Sequence, residues 1–113
     1  MKVNNCIFCK IIARQILSDI ITETDDIIVI KDIYPKASIH YLIIPKKHIP
    51  DIQSLQKEDI LTAGNIFLTA QELSLTLPGA QAFRLVTNNG PDAGQIIFHL
   101  HFHFLAGNKI ADF

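Results

Sequence analysis

The spacing of apolar residues changes period several times along the chain, and each change marks an element. Residues 6–13 place Ile7, Phe8, Ile11 and Ile12 at short helical spacing, which predicts a brief N-terminal helix. Residues 27–33 are rich in Ile and Val and read as a strand, preceded by a weaker one over residues 20–24. Residues 40–44 form another strand, stopped at Pro45. Over residues 54–75 the period lengthens. Ile60, Ala63, Phe67 and Ala70 recur at three- and four-residue steps, the pattern of a long amphipathic helix that Pro78-Gly79 terminates. Residues 83–87 read as a strand, residues 88–94 as a Gly/Asn/Pro loop, and residues 96–105 as the last strand. Short strands around one long helix predict an α+β fold, an antiparallel sheet of about five strands covered by that helix.

The last strand carries unusual chemistry. Side chains on a strand point alternately to opposite faces, so His99, His101 and His103 are expected on one face and Phe98, Leu100, Phe102 and Phe104 on the other. Three of the chain's five histidines in strict alternation are hard to explain as solvation alone. A tri-histidine metal site is the competing reading. On a strand, however, successive same-face residues stand about 7 Å apart at Cα, a poor fit to one tetrahedral centre. Catalysis fits better. A largely neutral imidazole is a nucleophile at pH 7, it leaves phosphorus readily, and a neighbouring imidazole can donate to phosphoryl oxygens.

Composition narrows the field. A chain of 113 residues fits one domain, and 49% hydrophobic residues suffice for a core, although a core this small would gain from a second subunit or a metal. Formal net charge is −1 with scattered Lys and Arg, so nothing suggests a nucleic-acid partner. No long apolar run marks a leader or a membrane span, and the expectation is a cytoplasmic protein. Cys6 and Cys9 form a C-x-x-C, which in a reducing compartment reads as a metal half-site or a redox pair. Lys46 and Lys47 read as a solvated strand end, Arg84 as an exposed sheet-face residue or a subunit contact, and Asp92 as turn chemistry.

The run His99-Leu100-His101-Phe102-His103-Phe104-Leu105 resembles the signature of the histidine-triad (HIT) superfamily of nucleotide hydrolases and transferases. The resemblance extends over nearly the whole chain, through Ile7-Phe8-Cys9-Lys10-Ile11-Ile12, Asp32-Ile33-Tyr34-Pro35, the segment from His40 to His48, and the loop from Asn88 to Gln95. It is closest to the HINT branch, because of Pro45-Lys46-Lys47-His48 and the small residues Ala106-Gly107 after the triad.

The resemblance implies that His101 is the nucleophile, that His103 contacts phosphate oxygens, and that His99 and His40 help to orient the nucleophile. It implies that Asn88 and the backbone around Gly94 and Gln95 line a phosphate site, with Ile96 beside the leaving group where many relatives carry a polar side chain. Asp32 would hold the ribose hydroxyls, and Ile7, Phe8, Ile11, Ile30 and Ile33 would wall a purine pocket. Simple core packing is the alternative for these apolar residues, above all for Ile30. The implied substrates are nucleoside phosphoramidates and related nucleoside-monophosphate conjugates, cleaved by a homodimer without a catalytic metal. In relatives with both cysteines a structural zinc is held by the residues matching Cys6, Cys9, His48 and His99; reduced, unmetallated thiols are the alternative. With zinc bound, His99 is a ligand and the chemistry falls to His101 and His103. A dinucleoside polyphosphate hydrolase and a purine-nucleotide-binding module with little turnover are the other functional readings.

Overall fold

The computed structural model describes residues 5–110. In chain order the elements are α1 (Ile7–Ile12), β1 (Ile20–Glu23), β2 (Ile27–Lys31), β3 (Ile39–Pro45), α2 (Ile60–Thr76), β4 (Phe83–Val86) and β5 (Phe102–Ala106). The strands form one five-stranded sheet in the order β1-β2-β3-β5-β4, with every neighbouring pair antiparallel. The α+β sheet with one long and one short helix is therefore the architecture that the apolar pattern predicts. None of the helices among the described residues is long and apolar enough to cross a membrane.

The central strands β2 and β3 are buried on both faces, and residue parity decides which side chain goes where. Ile27, Val29, Ile43, Phe104 and Ala106 pack with Ile66, Ala70 and Leu73 of α2. Ile28, Ile30, Leu42 and Ile44 point the other way and pack with Phe8, Cys9 and Ile11 of α1. This explains why β2 is an unbroken apolar run, for a strand covered on both faces has no polar side. Each such isoleucine contributes about 1.5–3 kcal/mol by leaving water. His40 shares the parity of Leu42 and Ile44. In register Leu42 stands opposite His103, so both imidazoles lie on the α1 face of the sheet.

Three boundaries differ from the sequence pattern. The long helix begins at Ile60 rather than at residue 54, because residues 52–54 and 57–59 are separate 3-10 turns. Asp59 closes the second turn by accepting the Gln56 N–H at 3.0 Å and the Lys47 ammonium at 2.7 Å. The face that α2 buries is Ile66, Ala70 and Leu73; of the predicted stripe, Ile60 and Phe67 are 70% and 61% exposed. Apolar residues all round this helix allowed more than one stripe, and contact with β2 and β3 selects one of them.

The third difference bears on the site. The last strand spans only Phe102–Ala106, and residues 96–101 are irregular chain. Their hydrogen bonds run to the segment after β3 instead of along a ladder. The Leu100 N–H donates to Ile49 O at 2.6 Å, and the His99 ring donates to Pro45 O at 2.7 Å. The ladder consequently ends there. Phe98 is half exposed, while His99 is fully buried, its ring on the α1 side beside Phe8 and Cys6.

Candidate active site

Three imidazole environments can be built upward from their hydrogen bonds. Where β5 begins, the chain around His101 is fixed twice: Thr87 Oγ1 donates to His101 O at 2.8 Å, and His101 Nδ1 donates to His99 O at 2.8 Å. A carbonyl only accepts, so the Nδ1 proton is committed and the lone pair of the neutral ring sits on Nε2. The ring packs edge-on against Phe8, with centroids 5.0 Å apart, and lies 5.3 Å from His103. Burial lowers the His101 pKa, opposed by its bond to His99 O and the charge of Asp32. The ring is thus neutral at physiological pH.

The second environment is a proton relay. The Lys36 N–H donates to His40 Nδ1 at 3.0 Å, so the neutral His40 ring carries its own proton on Nε2. That proton points at His103 Nδ1, 2.9 Å away, with Asp32 Oδ2 at 3.3 Å as a second acceptor. His103 then bears its proton on Nε2, where it serves as a donor. Burial, with the nearby His101 and His40 next, pushes the His103 pKa down to about 4. His40 is also lowered, by burial first. Asp32, His40 and His103 lie close enough together to hold a cation. The proton on His40 Nε2 occupies the direction a metal bond would need, so this cluster is read as a hydrogen-bonded relay.

The third environment inverts that logic. His99 donates Nε2–H to Pro45 O at 2.7 Å, leaving Nδ1 unprotonated. Its lone pair faces Cys6 Sγ at 3.3 Å, Cys9 Sγ at 3.6 Å and His48 Nδ1 at 3.2 Å, while His48 Nδ1 is 3.3 Å from Cys9 Sγ. All four ligand atoms lie within 4.8 Å of one another. Burial lowers His48 and pushes His99 down to about 4. Cys6 also caps α1, its Sγ accepting the Cys9 N–H at 3.3 Å. Four donor atoms of zinc-ligand type converging this closely could hold a metal ion.

His101 and His103 open into a cavity of about 620 Å³. Every residue expected to bind a nucleotide lines it. Ile7, Phe8, Ile11 and Ile30 form the apolar floor from α1 and β2, with Asp32 and Ile33 at one side and Asn88, Gly94, Gln95 and Ile96 at the other. His40 and His99 do not line it. His40 acts from behind His103. His99, expected to help orient His101, accepts the His101 Nδ1–H at its carbonyl while its ring joins the cysteines.

Gly94 and Gln95 line the cavity without supplying donors. The Gly94 N–H is spent on Pro91 O and the Gln95 N–H on Gly90 O. The Gln95 amide braces Gly90 N, Pro50 O and Ile97 O. Gly94 has φ +97°, a conformation that side chains resist, and it sets the turn that carries Ile96 to the cavity edge. Lys46 and Lys47 pair with Glu23 and with Asp59 and Glu58, away from the cavity, whose lining also omits Arg84 and Asp92. Leu17, Ser18, Tyr34 and Lys36 line the cavity unforeseen. They sit on irregular chain after α1 and β2, where no period announces a direction.

An imidazole pair presented from a helix-backed antiparallel sheet into an apolar cleft defines a recognisable class of small α+β protein. Residues 5–112 match the family described as scavenger mRNA decapping enzyme C-terminal binding. The chain is 44% identical to an uncharacterized HIT-like protein of Synechocystis over 105 residues, covering 93% of this chain and 92% of that protein. It is similar to the crystal structure of a HIT family hydrolase from Legionella pneumophila, with 36% identity, TM-score 0.89, and coverage of 95% and 96% of the two chains. A histidine triad protein from Clostridium difficile superposes with TM-score 0.93 at 32% identity, covering 100% of this chain and 99% of that one. The chain belongs to the histidine-triad family.

Proposed function

We infer that this protein is a hydrolase of nucleoside-monophosphate conjugates, nucleoside phosphoramidates among them, and that it works through a nucleotidyl intermediate on His101 Nε2. The observation that carries the reading is the Nδ1–H bond from His101 to His99 O, which leaves Nε2 as the lone-pair nitrogen of a neutral ring beside the cavity. Attack by Nε2 on phosphorus expels the leaving group, and water then displaces His101 to release the nucleoside monophosphate. Charge gathers on the non-bridging oxygens in both steps. A His103 Nε2–H, fixed by the His40 relay, is the donor suited to them.

The apolar floor of Ile7, Phe8, Ile11 and Ile30 suits a purine base, with Ile33 at its rim. Asp32 is the candidate acceptor for ribose hydroxyls, although Oδ1 already accepts the Tyr34 N–H at 2.8 Å. Asn88 is the side-chain amide available to the phosphate. Within the family, Pro45-Lys46-Lys47-His48 and Ala106-Gly107 favour the HINT-like branch.

The donor set fits zinc. Tetrahedral zinc with ordinary bond lengths has N···N edges of about 3.3 Å and N···S edges of about 3.6 Å. The separations here are 3.2 Å between the nitrogens and 3.3–3.6 Å from nitrogen to sulfur. Bound by Cys6, Cys9, His48 and His99, zinc would supply a structural tie between α1, the segment after β3, and the chain before β5. The edge of β4 and the exposed Leu61, Phe67 and Leu68 of α2 suit a homodimer.

Mass spectrometry of protein quenched during turnover of a nucleoside phosphoramidate tests the central claim. The expected result is a nucleotide adduct on the peptide bearing His101. No adduct, together with unchanged turnover by His101→Ala, overturns it.

A further inference from the structure

The two cysteines do not stand alike towards the outside. Cys6 lines a second cleft of about 380 Å³, together with His48, Ile7, Pro50, Ile96 and Phe98. Cys9 lines neither that cleft nor the nucleotide cavity. Ile7 and Ile96 line both and so form the wall between them. A small solute therefore reaches the four-donor cluster by way of Cys6, without entering the nucleotide cavity.

The sulfurs are also close enough to react with each other. They lie within 4.8 Å, as do all the donor atoms of the cluster. Cys6 is the N-cap of α1, and the Cys9 N–H already donates to its Sγ at 3.3 Å. Residues three apart on a helix stand about 5–6 Å apart at Cβ, and a disulfide needs about 4 Å, so a small contraction of the first turn joins them. Once bonded to each other, the sulfurs are no longer thiolates, and the ligand set with His48 and His99 loses both of them.

That same turn carries part of the floor of the nucleotide cavity. Ile7 and Phe8 lie between the cysteines in sequence, and the Phe8 ring is 5.7 Å from His99 and 5.0 Å from His101. A helix of six residues is not stable alone, so α1 keeps its shape through its packing and its cap. Contracting the turn displaces Ile7 and Phe8 with it.

We propose that Cys6 and Cys9 form a site of reversible thiol oxidation, in which a small hydroperoxide entering the second cleft oxidises Cys6, Cys9 closes the disulfide, and nucleotide affinity falls. In the first step the Cys6 sulfur bonds to one peroxide oxygen, the O–O bond breaks, and the departing hydroxide takes the thiol proton, giving a sulfenic acid and water. In the second the Cys9 sulfur bonds to the Cys6 sulfur, and the S–O bond breaks with its pair on oxygen. That hydroxide leaves as water with the Cys9 proton. The thiols lose two electrons and two protons, and the peroxide becomes two waters. With both sulfurs ligated as thiolates, two hydroxides form instead of the waters. A small dithiol restores the pair by exchange and itself becomes the disulfide.

The oxidation stands apart from the His101 reading, whereas the fall in affinity rests on the nucleotide cavity of that reading. The test treats zinc-loaded protein with hydrogen peroxide. The peptide bearing both cysteines is expected to lose two hydrogen masses, with zinc passing to a chromogenic chelator at the same rate. Calorimetry is expected to show adenosine monophosphate bound about five-fold or more weakly, and a dithiol to reverse all three changes. Cys9→Ser is expected to stop at a sulfenic acid on Cys6 that a cyclic diketone traps, while Cys6→Ser yields little adduct at Cys9. No disulfide under peroxide that fully oxidises free cysteine, or equal trapping at Cys9, overturns the site. A disulfide that leaves nucleotide affinity unchanged overturns the coupling. If the reduced protein itself binds no nucleotide, the reading of the cavity falls, and the mass and zinc measurements still decide the oxidation.

Discussion

Two histidine clusters stand a few residues apart in this small fold, and their difference comes down to where one proton sits. In the Asp32–His40–His103 cluster, a backbone N–H occupies His40 Nδ1 and forces the ring proton onto Nε2, between the two imidazoles. In the Cys6–Cys9–His48–His99 cluster, Pro45 O takes the His99 Nε2 proton, and the lone pair turns inward towards sulfur and nitrogen. Both clusters have the composition and spacing of a metal site. A single main-chain partner on each key imidazole suits one cluster to a relay and leaves the other with its lone pairs free to hold a metal ion. Counting metal-binding residue types would not separate them.

The sharpest way to break this division is to remove the proposed nucleophile. His101→Ala is expected to lower nucleoside-monophosphate release by about a thousand-fold or more, while the far-ultraviolet circular dichroism and metal content stay unchanged. Metal loss in that variant would mean that the two clusters are not independent. Next in size, Cys9→Ser is expected to reduce bound metal from one equivalent to a small fraction by elemental analysis. It should also lower stability by about 2–5 kcal/mol in urea unfolding. Turnover per folded molecule should fall far less than in His101→Ala.

His40→Asn probes the relay from the other side. It removes the proton aimed at His103 Nδ1, and a fall in kcat of about ten- to a hundred-fold is expected with metal content intact. An unchanged kcat would leave His40 a packing residue.

A smaller effect appears as pH dependence of stability. The folded pKa of His103 is depressed to about 4 from an unfolded value of 6.5. Between those values the unfolded chain binds a proton that the folded chain refuses, so stability is full above pH 6.5 and declines as pH falls towards 4. His103→Asn should flatten part of that slope in a series of melting temperatures; an identical slope would contradict the burial of a neutral ring. The smallest effect expected is from Gly94→Ala. It imposes a side chain at φ +97°, at about 1 kcal/mol, and shifts KM through Ile96.

Much of this was legible in the sequence. Strand positions followed from runs of β-branched residues, because a sheet packed on both faces needs them. The residues expected around the nucleotide do line one cavity, since the resemblance carried positions that periodicity could not. What escaped has a common physical cause. The pattern predicted a strand from residue 96, but Leu100 and His99 donate their hydrogen bonds to Ile49 O and Pro45 O, and the strand starts only at Phe102. The buried face of α2 escaped because Ile60 and Phe67 are as apolar as Ile66 and Leu73, so the pattern offered several stripes. Lys36 and Leu17 escaped because irregular chain has no period from which to read a direction.

His99 divides its labour between side chain and main chain, and this has a consequence for how such a protein can change over generations. The oxygen that steers His101 belongs to the peptide unit, which every amino acid supplies. A lineage can therefore shed its cysteines and even this imidazole, one codon at a time, and answer only for lost rigidity. His101 keeps its bearing throughout, anchored to a part of the chain that mutation does not reach.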